Sequence, residues 1–197
     1  MLSLPQRTLP FHGSRRGRLA VVNGSELFAH GLAHLSEAIL QGVHDARVLV
    51  DHLREQGVER IGVTGLSLGG YITGLLAAAE PRLDFAVPNA ALSWLPPIFR
   101  GWFPANVLGE VTRSLAGLDE SLLERALAVH SPLTYAPALP QDRLMIVAGL
   151  GDRLAPPEQS ELLWEHWGRP EIHWFPGSHV LHFGRGAYLA AMRRLLS

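Results

Sequence analysis

The chain contains no cysteine and no lysine. The first absence excludes disulfides, thiolate nucleophiles and Cys-ligated zinc or iron–sulfur centres, and it fits a reducing cytoplasm, which is the expected location. The second leaves all 17 cations as arginine, against 18 Asp and Glu, for a formal net charge of −1. So even a balance leaves no electrostatic footprint for nucleic acid or an anionic membrane. Charged residues make up only 18% of the chain and apolar ones 47%, a composition too hydrophobic for disorder. Uninterrupted apolar runs are scarce as well. Met1 to Arg7 carries Pro5 and Arg7 where a signal peptide needs an unbroken apolar core, so export is not expected. Ile61 to Ala79 is 19 residues without a charge, long enough to cross a bilayer. It holds Gly62, Gly65, Gly69, Gly70 and Gly74, however, and changes character at Gly65. Two short elements joined by a turn fit better than one helix, and no integral membrane segment is expected.

What is present is an alternation of strand and helix signals with no internal repeat, which predicts an α/β fold with a mostly parallel sheet covered on both faces. At 197 residues a single domain is expected over 1–197. Ser36 to Gly57 has helical apolar spacing, and Gly57 stops it. Arg60 to Thr64 reads as a strand, Leu68 to Glu80 as a helix ended by Pro81, and Leu83 to Pro88 as the next strand. Arg143 to Ala148 is another strand, followed by a helix with Pro156 and Pro157 in its first turn and Gly168 after its last. Glu171 to Phe175 is the final strand and Leu181 to Leu196 the closing helix. The alternation lapses at about 90–140, an aromatic insert followed by a helix whose start carries Ser121 and Glu124 in capping-box spacing.

The sharpest chemical signal is Gly65-Leu66-Ser67-Leu68-Gly69-Gly70 between a strand and a helix. Glycines flanking Ser67 permit a tight turn that lifts the hydroxyl clear of the backbone, with a helix N-terminus behind it. The plain alternative is a small-residue turn that lets helix and strand pack closely. A serine hydroxyl needs a positioned base, itself oriented by a carboxylate. Active sites of parallel sheets lie at the carboxyl ends of strands, which disfavours Asp142, before a strand, and favours Asp152, after it. Asp152 could instead simply cap the following helix. His173 lies within a strand and His166 in a last helical turn. His179 follows the last strand in a loop, and His182, three residues on and expected on the closing helix, is its rival as the base.

The order Ser67, Asp152, His179, each after a strand, resembles the α/β-hydrolase superfamily over the whole chain. Within it the chain looks most like the poorly characterised alpha/beta hydrolase domain-containing protein 18-like group. The points of similarity are Pro10-Phe-His-Gly13 with Arg15 and Arg16, the Ser67 elbow ending in two glycines, Val87-Pro88, and the Gly-Ser-His179 loop. The group often has Met after the serine and Gly before the histidine, where this chain has Leu68 and Ser178. The resemblance implies a three-layer α/β/α sandwich and an oxyanion hole made by Leu68 with Ser14 or Gly13. It further implies a lid-like insert, in which Trp94, Phe99, Trp102 and Phe103 either wall an apolar acyl pocket or serve as core packing.

The expectation is a serine hydrolase, an esterase or thioesterase acting on a small acyl substrate through an acyl-enzyme on Ser67. It needs neither cofactor nor metal. A noncatalytic ligand-binding protein on the same scaffold is the alternative. Only about ten residues precede His12-Gly13, where the resemblance implies a hairpin and a further strand. The first strands are therefore expected to be missing, and the sheet edge left exposed could pair with another copy as a homo-oligomer.

Overall fold

The computed structural model describes residues 8–10, 12–15, 31–97 and 120–196. Among these residues four strands form one sheet: β1 (Gly62–Leu66), β2 (Phe85–Asn89), β3 (Met145–Gly149) and β4 (Glu171–Phe175). They lie in sequence order, and every pairing is parallel. A parallel neighbour requires a crossover. Helices α1 (Gly31–Glu55), α2 (Leu68–Ala79), α3 (Glu120–Ala128), α4 (Pro157–His166) and α5 (Arg185–Leu196) lie before, between and after the strands.

The two-residue period of the strands divides the core in two. Ala86 and Ile146 turn to one face, where they pack with Tyr71, Ile72 and Leu76 of α2, Leu35 and Ile39 of α1, Leu127 of α3 and Leu163 of α4. Phe85, Val87, Met145 and Val147 turn to the other and meet Phe175 with Tyr188 and Ala191 of α5. The result is the expected α/β/α sandwich. The uncharged stretch 61–79 divides into β1 and α2, and no helix among the described residues is long and apolar enough to cross a membrane.

Several boundaries differ from the sequence reading. β1 and β2 each begin two residues late because Asp84 is used as a clamp: its Oδ2 accepts the Ile61 N–H at 2.7 Å, and its own N–H donates to Ile61 O. Helix α1 starts at Gly31, five residues before Ser36. Ser121 is no cap. It lies inside α3, and its Oγ accepts from Arg125 Nη1 at 3.1 Å. Helix α5 starts at Arg185, which leaves His182 in a loop closed by a Gly177–His182 bridge and by Phe183 N–H donating to Pro176 O. Part of the insert is core: Leu123 and Leu127 are buried, and Ala138 N–H donates to Ala77 O of α2. Phe99, Trp102 and Phe103 lie outside the described residues.

Candidate active site

Ser67 stands between β1 and α2 with φ 57° and ψ −117°, a left-handed conformation that costs a non-glycine residue about 1–3 kcal/mol. Backbone bonds on both sides hold it there: its N–H donates to Asn89 O at the end of β2, and its carbonyl accepts the Tyr71 N–H, both at 2.9 Å. The turn is tight enough to dictate two glycines. A Cβ on Gly65 would sit 2.4 Å from the Gly69 backbone, and one on Gly70 would sit 2.7 Å from Ala91 Cβ. A Cβ on Gly69 would meet nothing within 4 Å, so it is the second glycine of the pair, not the first, that close packing requires. The Ser67 hydroxyl is not spent on capping α2. Leu68 is the first residue of α2, and its N–H belongs to the helical turn that has no intrahelical acceptor. The positive end of the helix dipole therefore lies beside the hydroxyl.

Asp152 follows β3 and is almost fully buried. Its two oxygens are divided between two tasks. Oδ1 accepts the N–H groups of Leu154 and Ala155, both at 2.8 Å, which shapes the loop; Oδ2 accepts from His179 Nδ1 at 2.7 Å. Helix α4 is entered from Pro156, so Asp152 does not cap it. With Nδ1–H given to the carboxylate, His179 keeps its lone pair on Nε2. The loops that carry these two residues are laced together by Leu150 N–H to Phe175 O (3.0 Å) and Gly151 N–H to Gly177 O (2.8 Å).

The rival histidine is occupied elsewhere. The His182 ring stacks on Phe175 with centroids 4.1 Å apart, Nε2 donates to His179 O at 3.2 Å, and the Tyr188 hydroxyl lies 3.5 Å from Nδ1. His173 is in β4 beside Tyr188, and His166 Nε2 donates to Tyr135 O at 2.9 Å. Gly13 and Ser14 form a single 3₁₀ turn with Arg15, with Gly13 at φ 50°. Arg15 ties that turn to α1 through a 2.5 Å ion pair with Asp45. Trp94 is half-buried after β2, its N–H donating to Gln159 Oε1 at 2.8 Å.

Sequence reasoning missed the supports of this arrangement. Gln159 of α4 is buried and accepts from both Ser93 N–H and Trp94 N–H, while Ser93 Oγ donates to Gln159 O at 2.5 Å. Ser131 Oγ donates to Ser93 O at 3.0 Å, and next to it the Tyr71 hydroxyl and His130 Nδ1 are hydrogen-bonded at 2.9 Å, deep in the core. Burial pushes the His130 pKa down, which favours the neutral ring. A glutamine in the first turn of a helix carries no signal of such a role. Among the described residues no three His, Asp or Glu side chains are placed to hold a metal ion.

Ser67, Asp152 and His179 thus all stand just past the carboxyl ends of parallel strands, on a sheet with helices on both faces. Solved structures share this frame. TT1662 from Thermus thermophilus superposes with a TM-score of 0.68 at 22% identity, over 96% of this chain and 75% of that one. The fold is that of the α/β-hydrolases. The Pyrococcus horikoshii acylaminoacyl peptidase gives a TM-score of 0.55 at 23% identity over 80% of this chain and 26% of its own. A puromycin hydrolase gives 0.57 at 20% identity over 78% and 24%. No protein-family model matches the chain. Two uncharacterized Mycobacterium tuberculosis proteins, MT2702 of strain CDC 1551 / Oshkosh and Rv2627c of strain ATCC 25618 / H37Rv, are 35% identical to it over 189 residues. The match takes in 92% of this chain and 43% of each relative, so the chain spans less than half the length of the curated proteins it matches.

Proposed function

We propose that the chain is a serine hydrolase that cleaves a carboxylic ester or thioester through an acyl-enzyme on Ser67. The observation that carries this reading is the 2.7 Å Asp152–His179 pair, held in loops at the carboxyl end of the same parallel sheet whose β1 leads into a strained, uncapped serine. In the proposed reaction, Nε2 takes the hydroxyl proton as Ser67 Oγ attacks the acyl carbonyl. The tetrahedral oxyanion is met by Leu68 N–H and by Gly13 or Ser14 N–H. His179 then protonates the leaving group, and water, activated in the same way, releases the acyl group. Asp152 holds the imidazole in the required tautomer. In the same reading Trp94, Phe99, Trp102 and Phe103 wall the acyl pocket. The names of two structural neighbours, an acylaminoacyl peptidase and a puromycin hydrolase, are those of hydrolases and support hydrolysis in general. The narrower likeness to the alpha/beta hydrolase domain-containing protein 18-like group rests on the sequence motifs alone.

The test is turnover of a p-nitrophenyl ester and of a peptide anilide by the wild type and by Ser67→Ala. Ester hydrolysis that falls by about 10³-fold or more in the variant supports the reading. Hydrolysis that survives the substitution overturns the nucleophile assignment, and cleavage of the anilide alone replaces esterase with amidase.

A further inference from the structure

The loops that carry Asp152 and His179 expose an apolar surface that the fold does not use. Leu150, Leu154, Val180, Leu181 and Phe183 are 40 to 72% exposed, although all belong to two short loops bonded side by side. Single exposed hydrophobic residues are ordinary, whereas five on two bonded loops, one bearing Asp152 and the other His179, point to a contact surface. Loop geometry does not account for them. The 176–183 loop is closed by backbone bonds, by the Gly177 turn and by the inward-facing His179 and His182, so polar residues would serve equally well at Val180, Leu181 and Phe183. The only charged side chains in 149–155 and 176–183 are Asp152, which is buried, and Arg153.

The chemistry decides what meets this surface. In the reaction proposed above, on which this inference rests, His179 Nε2–H protonates the departing oxygen or sulfur. The C–O or C–S bond to the carbonyl breaks, the acyl group stays on Ser67 Oγ, and the leaving group picks up the imidazolium proton beside the loop that carries His179. We propose that this apolar rim is the leaving-group subsite, and that the substrate is an ester of an apolar alkyl or aryl alcohol. A polyanionic carrier thiol or a charged amine would set its charge against five hydrocarbon side chains.

The test holds the acyl group constant and varies the alcohol. With methyl, butyl and hexyl acetate, kcat/KM should rise about two- to fourfold per methylene. The hexyl-to-methyl ratio should fall several-fold in Val180→Ser and in Phe183→Ser, with Leu154→Ser as a further variant should either fail to fold. A flat or falling series in the wild type, or preference for acetyl-coenzyme A over hexyl acetate, overturns the subsite while leaving the hydrolase intact. If no ester is turned over, the functional reading fails, and saturable binding of 1-octanol to the wild-type chain, followed by titration calorimetry, still judges the surface. Binding weakened by Phe183→Ser supports it, and absence of binding overturns it.

Discussion

Ser67, Ala90 and Arg169 are the non-glycine residues with positive φ among those described, and two of the three adjoin the candidate site. Ser67 N–H donates to Asn89 O, and Ala90 N–H to Val147 O, so adjacent strand ends hold both residues in place. Strain of this kind persists only where its surroundings over-determine it. The division of labour between the two neighbouring histidines gives a direct prediction. His179→Ala should lower ester turnover by about 10³-fold or more, because it removes the group that moves the proton. His182→Ala should cost far less, because its ring packs on Phe175 and its nitrogens face His179 O and the Tyr188 hydroxyl. Steady-state kinetics on the two variants decides between them, and the reverse ranking would move the base by three residues. The Asp152–His179 contact and the turn at Ser67 were legible in the sequence because the proposed nucleophile, acid and base each need a specific residue type after a strand. Asn89 was not, since its contribution is a backbone carbonyl that any residue could supply.

At the scale of elements, buried side-chain hydrogen bonds join segments beyond the sheet. Ser93, Gln159 and Ser131 tie the exit of β2, helix α4 and the turn after α3 into one buried set of hydrogen bonds. Gln159→Ala would leave the N–H groups of Ser93 and Trp94 buried without an acceptor, at about 1–3 kcal/mol each, and urea unfolding should report the loss as a lower midpoint. At the far end of α2, Glu80 is fully buried and accepts from Arg82 Nε and Nη2, both at 2.6 Å, and from Arg47 on α1 at 3.3 Å. Chiefly because of the Arg82 hydrogen bonds, its pKa is lowered from 4.5 to about 2. The unfolded chain therefore binds this proton at higher pH than the folded one. The stabilisation is complete above the unfolded pKa and disappears as pH falls from about 4.5 towards 2. Folding free energy measured across that window should decline, and Glu80→Gln should flatten the decline. Apolar patterning located the four strands and the helices that flank them among the described residues, because burial dictates it. Element starts were less legible: a side-chain clamp at Asp84 and the closed loop at 176–183 set them, and neither alters the hydrophobic pattern.

At the scale of the molecule, β1 is the outermost strand among the described residues and pairs only with β2. Its exposed positions include Leu66, an apolar residue at the end of the strand that leads into Ser67. Backbone groups on the outer side of β1, without a strand partner among the described residues, form with this exposed leucine a surface on which another strand can add. Sedimentation of the 197-residue chain should show self-association that grows with concentration. A monomer at high concentration would contradict this and mean that the edge is covered from within the chain. The proposed catalytic residues Ser67, Asp152 and His179 follow β1, β3 and β4, which all belong to this paired sheet. The central claim is that this sheet edge makes Ser67 a nucleophile. The most direct measurement is labelling of the folded chain with a fluorophosphonate probe, with the modified residue located by peptide mass spectrometry. The account predicts stoichiometric modification at Ser67, lost on prior denaturation and strongly slowed in His179→Ala. A native chain that stays unlabelled, or carries the probe at another serine, would contradict it.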